Sequence, residues 1–334
     1  MAMATATGTP IWRITMGAAI ILVILAILPQ LVDAYQTVLL TYGLIMAIAA
    51  LGFNLLLGYT GLLSFGHSAY FGTGAYTVAF ITRDFGVHSM ELCIVGGMLG
   101  TLIIAAIFGF VCVRHTRIFF GILTLALSQV LWSLAFKFFW VTGGTDGIRI
   151  PYANLSLVGG LVDFKGAGSF HRFIYAYYYY VLVVFAVSTL IMWVIAHSPF
   201  GKALQAIRDN ETRARFVGIS VRRYRWIAFM ISGIFTGLSG ILWVPLNGLT
   251  TPDILYWPFS GEIVFMTVLG GFRSFSGPIV GAIAFNYLKT YAIASTEYWQ
   301  FLLGVVLVIL VMALPAGIVG TTARLAAKLG RWTK

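Results

Sequence analysis

The chain has 334 residues, 60% of them hydrophobic and only 9% charged, with a mean hydropathy of +0.95 and a formal net charge of +11. That balance lies outside the soluble range and marks a polytopic helical membrane protein: crossing a bilayer core takes roughly 20 apolar helical residues, and the long unbroken apolar runs exclude an outer-membrane barrel, whose strands alternate. The basic excess then reads as a topology signal, not as nucleic-acid binding.

In chain order, ten apolar segments are predicted as helices, over 14–32, 37–57, 67–82, 92–113, 118–140, 174–196, 226–248, 257–271, 277–295 and 299–319. The third, eighth and ninth are short or interrupted by glycine, so eight crossings with re-entrant pieces is the alternative count. The first could be a signal peptide, because Gly17–Leu28 is followed by Val32 and Ala34, but it is read here as an uncleaved helix. Cys93 and Cys112 fall in the fourth segment. Their 19-residue spacing is about 28 Å along a helix, which leaves them as packing residues.

Charge sets the orientation. Fifteen of the 21 Lys and Arg residues fall on one side of a ten-crossing chain: Arg13, Arg114, Arg117, the seven between Phe200 and Arg225, Arg273, Arg324, Lys328, Arg331 and Lys334. That side is cytoplasmic by the positive-inside rule, and both termini lie there. Tyr175–Tyr180, Tyr256–Phe259 and Tyr298–Phe301 fall at predicted outer helix ends, where amphipathic rings anchor at the interface. The longest outer connection, 141–173, holds seven glycines and turn chemistry, and is expected to be a periplasmic loop.

The basic stretch 197–225 has structure of its own. Ser198 can cap a helix whose first residue is Pro199, and Phe200, Ala203, Leu204 and Ile207 make one apolar stripe. Asn210 breaks or caps, and a second short helix, Glu211–Val217, ends at Gly218. A helix this short is marginal in water, so the stripe needs lipid, the rest of the chain or a partner to cover it. Charge alone would make the stretch only an orientation signal.

The segment GYTGLLSFGHSAYFGTGAY, from Gly58 to Tyr76, places five glycines among Ser, Thr, His and Tyr residues. Non-helical backbone at membrane depth is tolerated where it is buried in protein or lines a water-filled cavity. GGFRSFSGPIVGAIAF, over 270–285, is a weak echo. Two interrupted segments in separate halves point to a translocation path between them, with close helix packing as the plainer alternative. His67 is either hydrogen-bonded structure or a proton carrier, and few other ionisable residues lie at membrane depth. The chain has no GxxxxGK[ST] phosphate loop, GxSxG or HExxH motif, and so no case for an enzyme.

Several stretches together carry a resemblance: HSPFGKALQAIRDNETRARFVGISVRRYRWIAFMISG, LGFNLLLGYTGLLSFGHSAYFGTGAY, VTGGTDGI, VLGGFRSFSGPIVGA and LPAGIVG. In order and over nearly the whole chain, they resemble the branched-chain amino acid permease subunits of bacterial ABC importers. The long loop after TGGTDG is closer to the LivM-like type than to its LivH-like partner. The spacing from Glu211 to Gly218 is one residue longer than in the general importer motif.

The resemblance implies an all-α permease domain spanning 1–334 in the bacterial inner membrane. It would pair with a homologous LivH-like permease and be driven by two cytoplasmic ATPases that carry the ATP and Mg. It would be fed by a periplasmic substrate-binding protein. Asn54, Tyr59, Thr60, Ser64, His67, Ser68, Tyr70 and Thr73 are expected along the translocation path. Phe200, Lys202, Leu204, Ile207, Arg208, Asp209, Glu211 and Gly218 are expected in a cytoplasmic coupling loop that contacts the ATPase. Urea or short amides are the alternative cargo, and a self-sufficient secondary transporter or channel is the alternative class.

Overall fold

A backbone in hydrocarbon must satisfy its own hydrogen bonds, so each apolar run is expected to close into a helix. The computed structural model describes residues 11–115, 118–152, 155–157, 162–163 and 169–332, and each of the ten apolar segments is helical in it. The first half comprises α1 (Ile11–Ile27), α2 (Ala34–Asn54), α3 (His67–Asp84), α4 (Met90–Cys112), α5 (Ile118–Lys137) and the single turn α6 (Phe139–Thr142). The second comprises α7 (Ser169–His197), α8 (Pro199–Asp209), α9 (Glu211–Phe216), α10 (Val221–Asn247), α11 (Trp257–Gly270), α12 (Gly277–Ser295), α13 (Trp299–Ala313) and α14 (Gly317–Trp332). Among the described residues, six stretches are long and apolar enough to cross a membrane: Ala34–Thr60, Met90–Cys112, Ile118–Lys137, Ser169–His197, Val221–Asn247 and Trp299–Leu325.

Three departures from the expected elements have local causes. The segment expected over 299–319 is broken between α13 and α14. Pro315 cannot continue a helix, and Gly317 takes a positive φ of 72°. The second segment does not stop at 57 but runs on as a π-helix, Leu55–Thr60. The connection over 141–173 holds two-residue strands, β1 (Ile148–Arg149), β2 (Ser156–Leu157) and β3 (Val162–Asp163). β1 pairs antiparallel with β4 (Leu249–Thr250), and β2 with β3.

α2 and α10 form the buried pair at the centre, packed on one another and flanked by α3, α4, α7, α11 and α12. The faces of α4, α5, α7 and α13 that carry Ile103, Ile107, Ile122, Val187, Val308 and Ile309 are exposed, as lipid-facing surfaces are. Cys93 and Cys112 are both buried in α4 and unbridged.

Candidate functional site

The polar, glycine-rich segment after α2 folds into the protein. The π-helix ends at Gly61, whose φ is 72°. The chain then runs without helix from Gly61 to Gly66, where α3 begins. This irregular stretch lies against α5, where the Phe65 amide donates to Thr124 Oγ1 at 3.2 Å. Leu62, Ser64 and Gly66 are buried in protein, the condition under which such a break is tolerated at membrane depth, while Gly61 and Leu63 stay exposed.

His67 is wholly buried and bonded at both ring nitrogens, Nδ1 to Ser64 Oγ at 3.0 Å and Nε2 to Ser232 Oγ at 2.8 Å. The rings of Phe53 and Tyr70 meet it edge-on, with centroids at 4.8 and 5.5 Å. The imidazole thus ties the irregular stretch to α10. The Ser68 amide donates to Ser260 Oγ of α11 at 2.8 Å. Two buried oxygens, Asn54 Oδ1 and Ser68 Oγ, have no hydrogen-bond partner among the described residues. Buried orphans of this kind cost energy and call for a reason.

The expected path residues therefore divide. Asn54, Ser64, His67 and Ser68 are gathered where α2, α3, α10 and α11 meet. Thr60 and Tyr59 sit at the C-terminal end of the π-helix, beside the hairpin, and Thr60 Oγ1 donates back to Leu56 O at 2.5 Å. Tyr70 points instead into an aromatic cluster with Phe108 and Phe229, and Thr73 Oγ1 caps its own helix backbone at Ala69 O. Ser232 and Ser260 belong to the same centre but carry no sequence signal beyond serine in an apolar helix, whereas Phe272 lies in the second glycine-rich segment, over 270–285.

The two glycine-rich breaks touch. A Cβ placed on Gly58 would collide with the carbonyl oxygen of Phe272, in the turn between α11 and α12, and with Asn54 Oδ1. Only glycine permits that approach.

The basic hairpin forms as its caps dictate. Ser198 Oγ accepts from the Gly201 amide at 3.4 Å, Pro199 opens α8, and Asn210 Oδ1 accepts from the Arg213 amide at 2.9 Å. Gly218 follows α9 with a φ of 89°. What covers the apolar stripe is the chain itself. Leu204 is wholly buried in the main core. Ile207 packs with Ala214 and Val221. Phe200 stacks on Tyr224 at 5.5 Å. Glu211 Oε2 accepts from Arg225, which is nearly buried, at 2.8 Å, while its other oxygen pairs with Arg215. Burial acts to raise the Glu211 pKa, but Arg225 and Arg215 outweigh it and hold the carboxyl below its ordinary value.

Arg208 also turns inward. Its guanidinium donates to the Gly58 carbonyl of the π-helix, and its Cγ lies 2.8 Å from where a Cβ on Gly61 would stand. A cavity of about 500 Å3 sits beside this contact, between the π-helix end and the hairpin, and includes Thr60, Gly61, Arg208, Glu211 and Arg225 in its lining. Leu204, Ile207, Arg208 and Glu211, expected to meet a partner directly, are thus engaged by the chain's own fold. Lys202, Asp209 and Gly218 remain exposed, joined by Phe216 at 87% and Val217 at 77% exposure. No group of three His, Cys, Asp or Glu side chains able to hold a metal occurs among the described residues.

Buried polar breaks inside a helical bundle, reached by a structured basic hairpin, define a multi-pass membrane transport protein. Residues 36–311 match the family model for the permease component of branched-chain amino acid transport systems, and the chain belongs to that family. It is 26% identical to the LivM permease of the high-affinity branched-chain amino acid transport system of Escherichia coli K12, over 90% of this chain and 74% of that protein. It is 24% identical to the LivH permease of Salmonella typhimurium, over 84% of this chain and 92% of that protein. A probable LivM permease from Methanocaldococcus jannaschii is 23% identical over 77% of this chain and 81% of that protein. No solved structure matches.

Proposed function

We propose that the chain is the LivM-like half of an ATP-driven importer for branched-chain amino acids, seated in the bacterial inner membrane beside a LivH-like permease. Two cytoplasmic ATPases supply the energy and carry the ATP and Mg, and a periplasmic binding protein delivers the cargo. The observation that carries this reading is mechanical. The hairpin α8–α9 is packed onto α10 and bonded through Arg208 to the π-helix, and the second glycine-rich break lies against the same π-helix residue, Gly58. A force on the hairpin's exposed side, around Lys202, Asp209, Phe216 and Val217, therefore reaches both breaks. A secondary transporter has no need of such a lever.

The test is reconstitution of the chain with the second permease, the two ATPases and the binding protein in proteoliposomes. Leucine uptake that requires internal ATP and survives collapse of the membrane potential is expected. Uptake by this chain alone, driven by an ion gradient, would overturn the reading. Competition by excess urea or acetamide, without competition by isoleucine or valine, would replace the cargo and leave the class.

A further inference from the structure

At the end of the bundle that bears the hairpin, a second cavity of about 440 Å3 opens between the last turn of α4 and the first turn of α10. Phe110, Val113 and Arg114 line it from one side, and Arg222, Arg223 and Trp226 from the other. Half of that lining is arginine and half is apolar. The guanidiniums of Arg114 and Arg222 both lie over the Phe110 ring, 4.6 and 5.7 Å from its centroid. Two like charges are therefore held against one aromatic ring, an arrangement that an anion bound beside them would relieve.

Among the described residues, no carboxylate forms an ion pair with them. Among the neighbouring arginines, Arg208 pairs with Asp209, and Arg215 and Arg225 share Glu211. None of the five ion pairs among the described residues includes Arg114, Arg222 or Arg223. The two clusters are built from similar residues on adjacent elements, yet one holds two carboxylates and the other, among the described residues, has no ion-pair partner.

The walls are fixed, as a binding site requires. Trp226 Nε1 donates to the Ala106 carbonyl at 3.0 Å, which pins the indole across the helix pair. Gly109 lets the two helices close beneath it, since a Cβ there would stand 2.9 Å from Trp226 and 2.8 Å from Phe229. Leading away from the cavity toward the middle of the bundle, α4 exposes Phe110, Ile107, Ile103 and Leu99 along one face. A phosphate-bearing headgroup in the cavity would lay its acyl chain along that track.

We propose that this cavity is a binding site for an anionic phospholipid, whose phosphate is held by Arg114, Arg222 and Arg223 and whose acyl chain packs on Phe110 and the exposed face of α4. Charge complementarity selects an anion, and the apolar track selects a lipid over a soluble phosphate. The bound lipid would brace the joint between α4 and α10 at the point where α10 leaves the hairpin. The site is independent of which cargo the importer carries, and its test needs no transport.

The purified full chain would be presented with phosphatidylglycerol and with phosphatidylcholine of the same acyl chains, and retained lipid counted by native mass spectrometry. Phosphatidylglycerol should be held at least tenfold more tightly. The triple variant Arg114→Gln, Arg222→Gln, Arg223→Gln should lose that preference and melt at the parental temperature in phosphatidylcholine. Arg324→Gln, an exposed basic residue elsewhere, should keep it. If the triple variant melts early, Phe110→Ala with all three arginines present supplies the second reading: weaker retention of long-chain phosphatidylglycerol and unchanged retention of a short-chain analogue. Equal retention of both lipids, or undiminished preference in the triple variant, would overturn the proposal. So would displacement of the lipid by millimolar inorganic phosphate, which would make this an anion site, or by the purified ATPase, which would make it a protein contact.

Discussion

Both ring nitrogens of His67 are occupied by serine hydroxyls from different elements, and its ring is enclosed by Phe53 and Tyr70. His67→Ala removes two hydrogen bonds, leaves the buried Ser232 hydroxyl without its partner and opens a cavity, a loss of about 3 kcal/mol that thermal unfolding of the purified chain should register. His67→Gln, which can keep one of the bonds, should unfold later than His67→Ala and leave the pH dependence of uptake unchanged. A proton carrier would instead lose that pH dependence. Glu211 makes a titratable prediction outside the membrane. Its folded pKa is depressed by Arg225 and Arg215, so its contribution to stability is present above the unfolded value, near 4.3, and is lost as pH falls through the lower folded value. Hydrogen exchange of the α9 amides should be flat from pH 7 to 5, after correction for intrinsic rates, and should accelerate below about 4. Glu211→Gln should remove that dependence and loosen α9 at neutral pH by about 2 kcal/mol, because Arg225 is then left buried without its counter-charge.

At the scale of elements, the helices were legible from the sequence because their signal is local: unbroken apolar runs, a Ser-Pro start for α8, an Asn cap for α9 and Gly218 after it. The π-helix was not legible. Its wider turn exists because Gly58 is pressed against Phe272 and held by Arg208, and both neighbours come from distant parts of the chain. The direction of the α8 stripe was also hidden. Periodicity says that Leu204 and Ile207 share a face but not what covers it, and here the cover is the chain's own core. This changes what substitutions should do. Leu204→Glu buries a charge inside the subunit and should lower the yield of folded chain before any partner is added. Phe216→Glu, at an exposed site, should leave folding within about 0.5 kcal/mol and weaken co-purification of the ATPase by tenfold or more. Equal effects of the two on chain yield would place Phe216 in the fold instead. Gly58→Ala should raise hydrogen exchange across the π-helix with the hairpin intact, since a methyl there must displace the Phe272 turn.

At the scale of the molecule, contacts sort the connections into two ends. On one, Arg208 reaches Gly58, Arg114 and Arg222 share Phe110, and the turn at Gly271 meets Ala316. On the other, Arg83 bonds Val141 O at 2.7 Å, Ile148 pairs with Thr250, and the Ser156 amide donates to His88 O at 2.9 Å. The first end holds Arg114, the seven basic residues of the hairpin stretch, Arg273 and Arg324; the second holds Arg83, Lys137, Arg149, Arg172 and Lys289. The positive-inside rule reads such an excess as cytoplasmic, so the hairpin end should face the cytoplasm and the β1–β4 end the periplasm. Two exposed positions test this in otherwise cysteine-free chains: Thr212→Cys at the hairpin end and Asp146→Cys at the opposite end. With only the outer membrane opened, an impermeant maleimide should label Asp146→Cys and spare Thr212→Cys, and lysing the cells should bring the second up to the level of the first. Labelling of Thr212→Cys in the intact inner membrane would invert the molecule and place the hairpin out of reach of any cytoplasmic ATPase. The proposed coupling would then fail with it, because the contact from Arg208 to Gly58 can transmit a push only from the side on which ATP is hydrolysed.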